Sequence, residues 1–226
     1  MKKAFQDFTK PETYQALLAE LVGTGLLTLA ALLAGTPYAV ALILAALVYA
    51  LGGISGAHLN PAVTLGLVTA RRLPIVKGLV YVVAQAAGAL LAARVAPLVG
   101  DVASSYKAGR PIGEFIGAGL LVLTVVAVSD KSVPKAGSGV AIGAALGAGL
   151  LLTGGVLNPA VALAMGLGRS PALWAAALGG IAFAALFDLL SVGQEQKKAS
   201  EQEESESTQA APRPLSVGRR ISGAAD

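Results

Sequence analysis

The chain gathers its apolar residues into six blocks, at about 14–34, 37–54, 76–96, 112–129, 137–156 and 171–192. Each is close to the ~20 residues that an α-helix needs to cross the hydrocarbon core of a bilayer. Charged residues make up 13% of the 226 positions and hydrophobic residues 55%. That charged share is about half of what a globular chain carries, too little to cover the surface of a soluble domain. The blocks therefore predict an all-α membrane protein with six transmembrane helices. Residues 1–13 carry charges and Pro11 but no cleavage site. They read as a short cytoplasmic segment rather than a removed signal peptide.

Two asparagines occur in the whole chain, and each opens the same motif, in HLNPAV (58–63) and VLNPAV (156–161). A second match precedes them. AELVGTGLLTL (19–29) aligns with GEFIGAGLLVL (113–123), pairing Glu20 with Glu114, Gly23 with Gly117 and Gly25 with Gly119. Two similarities in the same order imply homologous halves, at about 14–100 and 112–192. Between their starts the chain crosses three times, an odd number. The second half therefore enters from the opposite face, as an inverted repeat.

Each motif is followed by an apolar run too short to span, AVTLGLVTA and AVALAMGL. Asparagine is a preferred N-cap and proline a preferred first helical residue. Asn60-Pro61-Ala62 and Asn158-Pro159-Ala160 thus predict two re-entrant half-helices that start nose to nose at mid-membrane. Their positive dipole ends converge there. A dry meeting point would leave amides unpaired at several kcal/mol each, so the arrangement predicts a water-filled pore into which both asparagines offer N–H donors.

Thirteen of the 17 Lys and Arg residues fall on one side if the N-terminus is cytoplasmic, against Arg94, Lys107, Arg110 and Arg169 on the other. This asymmetry places both termini inside. It also accounts for the net charge of +4 without nucleic acid as a partner. With no cysteine and one histidine, neither a disulfide nor a metal site is expected, and no cofactor. No nucleophile–base constellation appears, so an enzyme is not expected either. Residues 193–226 mix both charges without apolar periodicity and read as a disordered cytoplasmic tail. RRIS (219–222) within it has the form of a basophilic kinase site. The spacing of Gly139, Gly143 and Gly147 reads as a small-residue stripe for close helix packing.

SGAHLNPAVTLGL (55–67) and TGGVLNPAVALAMGL (153–167), with the Glu20 and Glu114 segments and AQAAGA (84–89), resemble the aquaporins, or major intrinsic proteins, over roughly residues 14–192. The resemblance implies six helices and two half-helices, a homotetramer with one pore per subunit in the plasma (inner) membrane, and passage of water or small neutral solutes such as glycerol, urea or ammonia. It makes Glu20 and Glu114 acceptors that hold the pore loops, and His58 a pore-lining residue. The family's second constriction carries over to Val40, Leu146, Gly155 and Val161. An arginine usually stands where this chain has Val161, so the filter is expected to be wide and apolar. A secondary transporter using Glu20 and Glu114 as proton carriers is the competing class, and a poorly conducting pore the competing outcome. An ion channel would need rings of acidic or carbonyl sites, which the motifs do not supply.

Overall fold

The computed structural model describes residues 10–34, 36–102, 109–130 and 135–210. Lys2, Lys3, Lys107, Lys131 and the RRIS stretch lie outside them. Among the described residues eight α-helices follow in order: α1 (Pro11–Leu33), α2 (Pro37–Leu51), α3 (Pro61–Thr69), α4 (Ile75–Val99), α5 (Pro111–Ser129), α6 (Ser138–Thr153), α7 (Pro159–Ala164) and α8 (Pro171–Ala210). A 3-10 turn, Lys135–Gly137, leads into α6. Six of the eight begin on proline, whose fixed φ suits the first helical position and whose missing N–H is not needed there.

Five stretches are long and apolar enough to cross a membrane: Pro11–Leu33, Ile75–Val99, Pro111–Ser129, Lys135–Thr153 and Pro171–Ser191. The sixth expected span, α2, is 15 residues, or about 22 Å at the helical rise. Its hydrogen bonding continues beyond Leu51. Gly52 N–H donates to the Val48 carbonyl, Ser55 N–H to Leu51 and Gly56 N–H to Gly52, carrying helical pairing into the loop before α3. The half-helices α3 and α7 have nine and six residues, as the short apolar runs require.

The first unit of the chain ends at Leu189. Inside it, α1 packs on α4, α2 on α6, and α5 on α6. The repeat reappears as packing. Gly88 of α4 lies against the Leu21 carbonyl of α1, and Gly179 of α8 against the Phe115 carbonyl of α5. A Cβ at either glycine would overlap that carbonyl. The stripe of Gly139, Gly143 and Gly147 in α6 meets Tyr49, Ala45 and Ala41 of α2, which joins the two halves.

Polarity is turned inside out. Leu42, Leu98, Leu152 and Trp174 are exposed on the outside, whereas Glu20, Thr24, Gln85, Glu114 and both asparagines are buried. A bilayer is the solvent that fits such a surface. In the second unit, which starts at Leu190, the backbone is helical through Ala210. The sequence reading expects no fixed structure from residue 193. Its Glu, Gln, Lys and Ala residues are strong helix formers.

Candidate functional site

The two asparagines cap the half-helices. Asn60 has an extended backbone, and its Oδ1 accepts the Ala62 N–H at 2.8 Å. Asn158 Oδ1 accepts from Ala160 N–H at 3.0 Å and from Val161 N–H at 3.4 Å. Their amide nitrogens cross over. Asn60 Nδ2 donates to the Leu157 carbonyl at 2.9 Å, and Asn158 Nδ2 to the Leu59 carbonyl at 2.9 Å. Each half thus fastens the other at the residue before its cap. The sequence reading has each asparagine offer an N–H donor to the pore. The structure spends one hydrogen of each on the opposite loop, leaving one of the two.

Those crossed carbonyls belong to strained residues. Leu59 (φ 50°) and Leu157 (φ 57°) are left-handed, a conformation costing a non-glycine residue about 1–2 kcal/mol. Two buried carboxylates hold them there. Glu20 Oε2 accepts the Leu59 N–H at 2.8 Å, while its Oε1 accepts the His58 N–H at 3.0 Å and the Ser55 hydroxyl at 2.6 Å. Glu114 Oε2 accepts the Leu157 N–H at 2.6 Å, and its Oε1 the Val156 N–H at 2.7 Å and the Gly109 N–H at 3.3 Å. The leucine side chains close the arrangement by packing onto Gly23 and Gly117. A Cβ there would stand 2.5 Å and 2.6 Å from the leucine Cδ2 atoms. The glutamates, glycines and asparagines that repeat in sequence are therefore one device made twice.

The surroundings of the two carboxylates differ. Gln85 Nε2 donates to Glu20 Oε2 at 2.7 Å and to Thr64 Oγ1 at 2.9 Å, and Thr64 Oγ1 lies 3.2 Å from His58 Nδ1. The Tyr81 hydroxyl donates to the Ser55 carbonyl at 2.9 Å. Counted from the paired glycines 88 and 179, Gln85 corresponds to Ala176 and Tyr81 to Ala172. Counted from the motifs, Thr64 corresponds to Ala162. These three alanines, with Glu114, line a narrow void where the first half has polar side chains. Ser55, Thr64 and Tyr81 escape sequence reasoning. Gln85 leaves a trace there, as a polar residue inside an apolar block.

A cavity of about 210 Å³ lies beside the crossed asparagines. Its polar lining side chains are Thr36, His58, Asn60 and Asn158, and aliphatic side chains such as Leu27, Leu44 and Ile142 cover most of the rest. Val40, Leu146, Gly155 and Val161 all line it. Pro61, Ala62, Pro159 and Ala160 do not; they are buried in the half-helices. Gly155 is pressed against the support, where a Cβ would lie 2.8 Å from Glu114 Cδ. Among the described residues no Lys, Arg, Asp or Glu side chain reaches the wall, and no cluster of metal-ligating side chains occurs.

The family described as Major intrinsic protein matches residues 7–167. Aquaporin-1 of Homo sapiens is 38% identical over 135 residues, covering 52% of this chain and 50% of that protein. Probable aquaporin PIP2-8 of Oryza sativa subsp. japonica is 34% identical over 170 residues, covering 62% of this chain and 61% of that one. The chain thus spans about half the length of the first curated relatives it matches. The solved aquaglyceroporin from Plasmodium falciparum superposes with a TM-score of 0.65 at 20% identity, over 80% of this chain and 98% of that one, a likeness of fold.

Proposed function

Because the chain belongs to the major intrinsic protein family, we propose that it is a passive transmembrane channel for water and small neutral solutes. The observation that carries the reading is the cavity itself. It sits against two helix N-termini whose caps, Asn60 and Asn158, are fastened to each other's loops and still hold one donor each. Two positive dipole ends at one point repel cations. The donors offer a hydrogen bond to the oxygen of a neutral solute. Val40, Leu146, Gly155 and Val161 form its filter, and their side chains supply no hydrogen bond. A permeant there must rely on backbone groups or accompanying water, so the filter passes neutral solutes with little discrimination.

The transporter reading needs carboxyls that can load and unload protons. Glu20 and Glu114 instead accept from four and three donors, most of them backbone N–H groups of the pore loops, which supports an anchoring role. The distribution of Lys and Arg supports cytoplasmic termini, and the family supports a homotetramer in the plasma (inner) membrane. The test is stopped-flow light scattering on proteoliposomes, comparing water, glycerol, urea and ammonia in one preparation. Flux above that of empty liposomes is expected, with a marked loss in a folded Asn60→Ala/Asn158→Ala double variant. Equal flux in that variant would remove the pore from this site. No flux above lipid background would identify a poorly conducting member of the fold.

A further inference from the structure

Gln85 and Thr64 touch the pore loops but not the cavity. We infer that these two are positioning residues that fix the chain's one histidine, His58, in its Nε2–H form, so that it presents a donor to the cavity and takes no proton from it.

The direction of each bond follows from the one before. Glu20 is ringed by four donors: the Ser55 hydroxyl, the His58 and Leu59 N–H groups, and Gln85 Nε2. A carboxylate so placed accepts on every side. Gln85 must therefore face it with its NH2 group, since its oxygen at the same 2.7 Å would meet oxygen. The buried Gln85 Oε1 left without a partner is the consequence of that orientation. The second Nε2 hydrogen goes to Thr64 Oγ1 at 2.9 Å. Thr64, having accepted, has its own hydrogen to place. Thr28, Thr69, Thr124 and Thr153 give theirs to a carbonyl one turn back. Thr64 makes no such bond, and the acceptor in reach is His58 Nδ1 at 3.2 Å. A neutral imidazole nitrogen that accepts a hydrogen bond carries no hydrogen, so the ring proton is on Nε2.

Nε2 has no hydrogen-bond partner among the described residues, is not one of the buried orphan atoms, and belongs to a residue that lines the cavity. The Tyr81 ring meets the imidazole edge-on at 5.2 Å and holds its plane. His58 is the one titratable side chain on the cavity wall among the described residues, and the filter has Val161 in place of a cation. Fixed as Nε2–H, it joins Asn60 and Asn158 as a third donor. Water beside such donors keeps its oxygen toward them and cannot pass a proton through the imidazole, whose basic nitrogen is capped by Thr64. The second half has no such relay, because Val156, Ala162 and Ala176 stand at the matching positions. The consequence for protons rests on the channel reading; the state of the imidazole does not.

The single histidine makes the test clean. In full-length protein labelled with ¹⁵N-histidine and reconstituted in bilayers, solid-state NMR at neutral pH should show one form, with Nε2 protonated and Nδ1 bare and hydrogen-bonded. Thr64→Val should move the Nδ1 resonance to that of an unbonded nitrogen, and Thr64→Ser should restore it. Gln85→Met serves as the second variant should the valine protein not fold. It should leave Nδ1 free to exchange between donor and acceptor. In proteoliposomes the proton-to-water permeability ratio should rise in Thr64→Val by roughly fivefold, the change that one neutral hydrogen bond corresponds to, and return in Thr64→Ser. A protonated Nδ1 in the parent protein, or a spectrum indifferent to Thr64 and Gln85, would overturn the relay. A changed spectrum with an unchanged ratio would overturn its role in proton exclusion. The expected spectra without any water flux would uphold the relay and remove the channel.

Discussion

Replacing Glu114 with glutamine preserves the size of the side chain and separates its two possible roles. The carboxylate accepts the Leu157 N–H at 2.6 Å and the Val156 N–H at 2.7 Å. Glutamine has one acceptor oxygen and an NH2 group that only donates. Whichever way the amide turns, one of these two short bonds becomes donor against donor. Bonds to a charged acceptor contribute about 1.5–3 kcal/mol, and a buried N–H left unpaired costs about 1–3 kcal/mol. The lost bond also releases Leu157 or its neighbour from a loop whose left-handed turn costs about 1–2 kcal/mol. The first two sum to about 2.5–6 kcal/mol, and the strain relieved by that release offsets about 1–2 of it, leaving a destabilisation of about 3 kcal/mol. Typical stabilities are about 5–15 kcal/mol, so the variant should fold. For a chain of this size each kcal/mol lowers the melting midpoint by about 2–4 °C, so the expected drop is roughly 10 °C. Water flux should fall as well, because Gly155 and Val156 of the same loop line the cavity. Thermal unfolding of purified protein and stopped-flow water flux of proteoliposomes read both. An unchanged midpoint together with unchanged flux would refute the anchoring argument. An unchanged midpoint with loss of solute flux driven by a pH gradient would show Glu114 to be a proton carrier.

The other predictions are briefer. Val161→Arg, checked first for folding and oligomeric state because Val40 and Leu146 give the guanidinium no side-chain acceptor, should lower glycerol permeability more than water permeability; an unchanged glycerol-to-water ratio removes Val161 from the filter. Flux should persist in mercuric chloride, since the chain has no cysteine; a block reversed by added thiol would assign the flux to another protein. Gly88→Ala and Gly179→Ala should each abolish or strongly reduce folded yield, because the new Cβ overlaps the Leu21 or Phe115 carbonyl. Normal yield and melting of either variant would refute the close approach of those helices.

What the sequence made legible and what it hid divide along a physical line. The six spans, the two half-helices and the pairing of Glu20 with Glu114 could be read because each is written twice or as a long apolar run. A duplicated signal corrects its own errors: Asn60 beside Pro61 alone is a turn, and the same pair again at Asn158 is a symmetry element. The crossing of the asparagine amides onto Leu157 and Leu59 was hidden, since it depends on two loops 98 residues apart meeting head on. So were the left-handed leucines, whose side chains carry no mark of their backbone angle. Least legible were Thr64 and Tyr81, common residue types: Thr64 takes its meaning from a bond direction set at Glu20, and Tyr81 from its hydroxyl on the Ser55 carbonyl and its ring against His58. The duplicated residues lie where the two halves meet, and each half must satisfy the same backbone there. The unduplicated ones lie behind the loops, free to differ, with Gln85 and Thr64 on one side and Ala176 and Ala162 on the other. An inverted repeat makes the centre of such a pore symmetric. Chemistry that differs between the halves comes with residues that the repeat does not copy, and in this chain Gln85 and Thr64 converge on His58.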